Sequence, residues 1–290
     1  MSSRNNQQRL GSTDASDVNS QSENNNNQLS FSVPTEFVDL PSKGIYYPEG
    51  HPLHNVDSVE IKHMTAKEED ILASESLIRK GVAIDRMLQS LLIDNNLKVK
   101  DLLVGDKNAL TVAARITGYG SDYVTKVACP ACGNVQDFEF DLDEQTSTGA
   151  AFNREELNEK LDDVEMTKSG TFLVKLPKSG HTAELKMLTG ADEEKLEKFQ
   201  KSKAKNSNGH SSLLTDTMKT MVVSVDGITE RAQINNFVEN MPAIDSRYLR
   251  KVYQQLVPNI DMTQEFSCNK CDHSQALEVP VTTDFFWPEQ

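Results

Sequence analysis

The chain has 290 residues, 37% of them hydrophobic, and a formal net charge of −14, which is apolar material for one large domain or two small ones. So acidic a chain repels phosphate backbones and anionic lipid, and this excludes nucleic acid and membrane surfaces as partners unless a local basic patch overrides the field. Apolar runs fall short of the ~18 residues of a membrane span and no secretory-type apolar stretch opens the chain, so it reads as soluble and cytoplasmic.

Residues 1–30 contain 18 Ser, Asn or Gln and no apolar periodicity. Such a segment cannot bury enough surface to offset its ordering entropy, and a disordered tail is expected. Order should begin near Phe31 with an extended piece and a turn marked by Pro41, Gly44 and Pro48. "VDSVEIKHM" alternates as a strand. Thr65 and Glu68 have capping-box spacing, so a helix should run from there toward Arg79. "AIDRMLQSLLI" predicts a second amphipathic helix with Ile84, Met87, Leu88, Leu91 and Leu92 on its apolar face. Asp106 is placed to cap a third, "KNALTVAARITGYG". A strand, the turn "CPACG" and the strand "VQDFEFDL" follow.

"NREELNEKL" reads as a linker helix, and "TFLVKLPKSGHTAELKML" as two strands around a turn. Thr189 opens an acidic helix that ends in the Lys-rich "KLEKFQKSKAK", where cations complement the helix dipole. "KNSNGHSS" is a polar loop. "SLLTDTMKTMVVSV", "INNFVEN" and "SRYLRKVYQQLV" are expected helical, and "DMTQEFS" leads to Cys268-Asn-Lys-Cys271 and the strand "HSQALEVPV".

The halves repeat one another. Leu40-Pro41-Ser42-Lys43-Gly44 is matched by Leu176-Pro177-Lys178-Ser179-Gly180. "EIKHMTAKEEDIL" aligns with "ELKMLTGADEEKL", sharing Glu60/Glu184, Lys62/Lys186, Thr65/Thr189, Glu69/Glu193 and Leu72/Leu196. Residues 106–140 align without a gap on 245–279, pairing Asp106 with Asp245, Cys129 with Cys268 and Cys132 with Cys271. Three blocks in the same order point to an internal duplication.

The only four cysteines form the two CxxC pairs. With no secretory signal, a disulfide framework is not expected. Two CxxC turns supply the four thiolates of a structural zinc site, Cys129, Cys132, Cys268 and Cys271, with one Zn²⁺ per chain. A redox pair would sit at the head of a helix after a strand, whereas the residues after both turns alternate as strands. Unmetallated thiols remain an alternative. Local ribbons space their pairs ~15–20 residues apart, but a duplication would let equivalent hairpins from the two halves meet around one ion.

Catalytic patterns are missing from the sequence: no Gly-x-Ser-x-Gly, P-loop, GxGxxG or HExxH occurs. The expectation is a non-enzyme. Near the terminus, "TTDFFWPEQ" holds Phe285, Phe286 and the only Trp, which either pack on the core or anchor a partner.

The phrases "LPSKGIYYPEGHPL", "VEIKHMTAKEEDIL", "LIRKGVAIDRMLQSLLID", "DLLVGDKNALTVAARITGYGSDY" and "CPACG" resemble the baseplate hub family of T4-like contractile-tailed phages, well over residues 33–145 and loosely beyond. The resemblance implies a non-enzymatic part in building the baseplate hub through contacts with other hub or tail proteins, in the host cytoplasm during assembly or in the baseplate of the virion tail. Two other roles are weighed against it. One is a tail assembly chaperone, for instance for the tape-measure protein, that leaves before maturation. The other is a zinc-ribbon nucleic-acid binder, which the acidic residues around both turns oppose. The expected fold is α+β: a tail (1–30), a first repeat (31–145), a linker helix (146–170) and a second repeat (171–290).

Overall fold

The computed structural model describes residues 32–149, 164–206, 213–280 and 285–286. The polar tail, "NREELNEKL" and most of "KNSNGHSS" lie outside the described residues. Everything that follows belongs to one unit, which begins at Val33. Its helices and small antiparallel sheets make the fold α+β.

In the N-terminal half, β1 (Thr35–Asp39) pairs antiparallel with β2 (Ser58–Lys62), Thr35 opposite Lys62 and Asp39 opposite Ser58. Alternation along β2 sends Val59 and Ile61 into the core. The connection opens with Leu40–Gly44, where Gly44 has φ +70° and a Cβ there would lie 2.3 Å from Val56 N. Only glycine fits.

Helix α1 (Ala66–Leu72) starts at the expected capping box, with Thr65 N and Oγ1 both donating to Glu68 Oε2. It does not continue to Arg79. Ser74 takes up an extended conformation, α2 (Glu75–Lys80) restarts the helix, and Gly81 closes it at φ +70°. Helix α3 (Ala83–Leu91) buries Met87, Leu88 and Leu91 and only part of Ile84. After it Leu92, also buried, bridges to Ile61 on β2. Helix α4 (Val104–Tyr119) leads into the hairpin of β3 (Asp122–Ala128) and β4 (Val135–Asp141), followed by β5 (Thr146–Thr148).

The C-terminal half holds an antiparallel sheet in the order β6 (Val164–Met166), β7 (Phe172–Lys175), β8 (Thr182–Leu185), β9 (Val222–Val225). Helices α5 (Gly190–Asn206) and α6 (Leu213–Met221) connect β8 to β9. The segment "VVSV", expected helical, is instead β9. β-Branched valines suit a strand, and Val222, Ser224 and Val225 find partners on β8. Helices α7 (Arg231–Asn240) and α8 (Ala243–Leu256) precede β10 (Asn259–Asp261), which pairs with β5 of the other half. The last hairpin is β11 (Thr263–Ser267) with β12 (Ser274–Glu278).

Several contacts of the first half recur in the second. Thr35 Oγ1 donates to Glu60 Oε1 at 2.7 Å, and Thr171 Oγ1 to Glu184 Oε1 at 2.7 Å. Leu40 N bonds Asp57 O, and Leu176 N bonds His181 O. The bridge Ile61–Leu92 has its counterpart in Leu185–Val222. Thr189 N and Oγ1 donate to Asp192 Oδ2 as Thr65 does to Glu68. One continuous hydrophobic core threads both halves, from Val38 and Leu110 to Leu249 and Phe286.

Candidate metal centre

Each cysteine pair sits on the turn of a two-stranded hairpin. In the first, Cys129 N donates to Asn134 O and Gly133 N to Cys129 O, both at 2.8 Å. In the second, Cys268 N donates to His273 O at 2.9 Å, and Lys270 N points at Cys268 Sγ, 3.4 Å away. Gly133 and Asp272, at corresponding positions, both have positive φ (+69° and +52°). The two turns therefore share one backbone geometry, which glycine adopts freely and aspartate tolerates.

The hairpins lie side by side. Gln136 reaches across, Nε2 donating to Ser267 O at 3.0 Å and Oε1 accepting from Asn269 N at 2.9 Å. Gln264 reaches back to the main chain of Asp141. Between them Phe138 and Phe266 meet edge to face, 5.3 Å between centroids, with Phe266 fully buried. This packing brings together cysteines more than a hundred residues apart. Cys129 Sγ is 3.7 Å from Cys271 Sγ, Cys132 Sγ is 3.8 Å from Cys268 Sγ, and all four sulfurs lie within 4.8 Å of one another. Cys129 and Cys268 are buried, Cys132 and Cys271 exposed, and none is in a disulfide.

Tetrahedral thiolates ~2.3 Å from a zinc ion stand about 3.8 Å apart, and the shorter sulfur contacts have that spacing. The Lys270 N–H holds the Cys268 thiol down to about 6. Cys271 moves the other way, to about 12: the His273 N–H favours its thiolate, but the Cys132 sulfur, burial and the sulfurs of Cys268 and Cys129 together outweigh it. Four sulfurs this close do not all ionise by themselves, because like charges oppose it; a divalent cation would remove that opposition. The donor set and its spacing are compatible with a structural metal such as zinc. The ring of His273, next to the second turn, contacts Gln275 Oε1 at 3.2 Å.

The family model for the T4 bacteriophage base plate protein matches residues 33–287. The chain belongs to that family. No curated protein and no solved structure matches it. Among the described residues of this baseplate protein, no helix is long and apolar enough to cross a membrane. The family implies contacts with other phage tail or baseplate proteins, and the matched region takes in both hairpins.

Two further constellations hold the baseplate protein together, and sequence reasoning misassigned one and missed the other. Asp106 is not the N-cap of α4. It lies inside the first turn, fully buried, where Oδ1 accepts from Ser42 N at 2.9 Å and Oδ2 from Ser42 Oγ at 2.6 Å and Tyr47 OH at 2.7 Å. Leu103, an apolar residue, holds the cap position. In the second half Asp245 sits in the first turn of α8 and accepts from Lys178 N at 2.7 Å and Ser179 N at 2.9 Å. Each carboxylate thus latches the Leu-Pro turn of its own half.

The missed residue is Arg115. Its buried guanidinium donates to Phe285 O and Gly120 O at 2.7 Å and to Asp122 O at 3.1 Å. Burial lowers its pKa. Phe285 and Phe286 are buried, Phe285 edge-on to Tyr123 at 5.2 Å. The terminal phenylalanines belong to the core, while Trp287 lies outside the described residues.

Proposed function

We propose that the protein is a baseplate hub subunit or hub assembly factor of a contractile phage tail, a non-enzymatic adaptor that acts through protein–protein contacts. The observation that carries this reading is the family match over residues 33–287, together with the hub-like phrases of the sequence. The adaptor is built from two duplicated halves, residues 31–145 and 171–290, joined by a linker at 146–170 that carries β5 and β6 near its ends. Its support is the set of corresponding contacts at Glu60/Glu184, Thr65/Thr189 and Asp106/Asp245. Cys129, Cys132, Cys268 and Cys271 hold one Zn²⁺ that clasps half to half, supported by their convergence within 4.8 Å. Four thiolate ligands leave no open position for a substrate, so the ion's role is structural.

A phage carrying an amber mutation in this gene should accumulate incomplete baseplates in the host cytoplasm, where assembly takes place. Normal tails from that mutant would overturn the reading. Presence of the protein in purified virions marks a hub subunit; absence marks an assembly factor.

A further inference from the structure

The helices α6 and α8 leave an open groove of about 650 Å³ between them. Its floor includes Met218 and Met221, and its lip is Leu213 and Leu214, which are 46% and 57% exposed. Along the α8 side stand Arg247, Arg250 and Lys251. Arg250 Nε donates to Ser246 O, but among the described residues none of the three cations has a carboxylate within 4.0 Å. Three unmatched cations beside two exposed leucines are conspicuous in a chain of net charge −14. Apolar lining with a charged rim is the make-up of a protein-docking groove.

The other half indicates what kind of element fits. Helices α3 and α4 precede Leu92 and the cysteine hairpin as α6 and α8 precede Val222 and its counterpart. The groove beside α3 and α4 is walled by α5, an acidic helix whose Leu196 lines the cavity and whose Glu193 pairs with Lys107 of α4 at 3.2 Å. Helix α5 also runs antiparallel-bridged into this half at its start, Gly190 N donating to Leu102 O and Val104 N to Leu188 O. The groove at α6 and α8 has no such helix along it among the described residues.

We propose that the groove between α6 and α8 is the docking site for an acidic amphipathic helix of another tail protein. Its leucine-like side chains cover Leu213 and Leu214, and its carboxylates meet Arg247, Arg250 and Lys251. A nucleic acid would satisfy the cations but leave the leucines in water, so a protein helix is the better match. The cations and the exposed leucines call for an acidic, apolar partner with or without the duplication; the choice of a helix rests on the duplication, and the choice of a tail protein on the proposed function.

The test is site-specific photo-crosslinking in infected cells, with benzoylphenylalanine at Leu214 of the full chain and mass spectrometry of the crosslinked peptides. The expected product joins Leu214 to an acidic, leucine-bearing segment of one other tail protein. Its yield should fall at least about fivefold in Arg247→Glu/Arg250→Glu, since rim charges set encounter and partner choice, while the melting temperature stays that of the parent. Crosslinks confined to this chain, whether within one copy or between copies, would overturn the proposal. So would nucleic-acid adducts, a diffuse background, or a yield indifferent to the charge reversal. Failure here would leave the baseplate reading standing, because that reading fails only if tails assemble without the protein.

Discussion

Two latches with one plan are held in different ways. Asp106 takes three hydrogen bonds, two from side-chain hydroxyls, deep in the core. Burial raises its pKa in spite of Ser42 and Tyr47. Asp245 takes two backbone N–H groups of the turn itself. Burial would raise its pKa as well, but the amides of Lys178 and Ser179 hold it below the ordinary carboxylate value. Backbone donors aimed at an anion favour its charged form strongly. Hydroxyls that also serve other partners, as Tyr47 OH accepts from Leu103 N, do so less well. A carboxylate in the first turn of a helix can therefore fasten a distant turn by either route, and since both are fully buried, the donors decide whether charge helps or costs.

The largest contrast is expected from removing the latches. Asp106→Ala leaves Ser42 N, Ser42 Oγ and Tyr47 OH buried without their acceptor, at ~1–3 kcal/mol each, so the loss should approach ~4 kcal/mol once partial relaxation is allowed. Asp245→Ala frees two amides at a more accessible turn and should cost about 2 kcal/mol. Urea melts of the two variants, side by side, would break the comparison if Asp245→Ala proved the worse.

A second contrast lies in the turn glycines. Gly44→Ala drives a methyl group to within 2.3–2.5 Å of backbone atoms of Leu53 and Val56, whereas Gly180 at φ +75° faces open space. The first should destabilise by about 3 kcal/mol through overpacking and strain, the second by ~1 kcal/mol from the left-handed backbone alone. Equal losses in thermal melts would mean that the two turns are packed alike and would remove this contrast.

The smallest effect is in the pH dependence. A carboxyl with a lowered folded pKa adds stability above its unfolded value, about 3.9, and loses it as pH falls through the folded value. Asp245→Asn should therefore flatten the fall in melting temperature below about pH 4. Asp106 has the opposite sign: with its folded pKa raised, its ionisation weakens the fold as pH rises through the carboxylate range. Asp106→Asn removes the compensating gain on acidification, so its melting temperature should drop more steeply than the parent's there.

Local chemistry was legible in the sequence wherever spacing alone decides geometry. The capping box at Thr65, the CxxC turns and the apolar stripe of α3 are of this kind. The role of Asp106 was not, because an aspartate just inside a helix looks like a cap, and its partner turn lies sixty-odd residues away. Its match with Asp245 in the aligned blocks was the available clue, since equivalent acids beside equivalent Leu-Pro turns suggest a shared contact. "VVSV" misled because an apolar run carries no period of its own; its β-branched residues were the better guide. Arg115 stood unnoticed inside "TVAARITG", where only the tertiary contact with Phe285 O reveals what a buried cation is for.

The proposed ion would clasp the two halves of this baseplate protein together. Elemental analysis of purified chain, with Cys268→Ser alongside, tests it most directly. One zinc per chain is expected, lost in the variant, with both halves destabilised in hydrogen exchange because the clasp serves both. Zinc-free parent protein, or a variant in which only residues 171–290 lose protection, would contradict it.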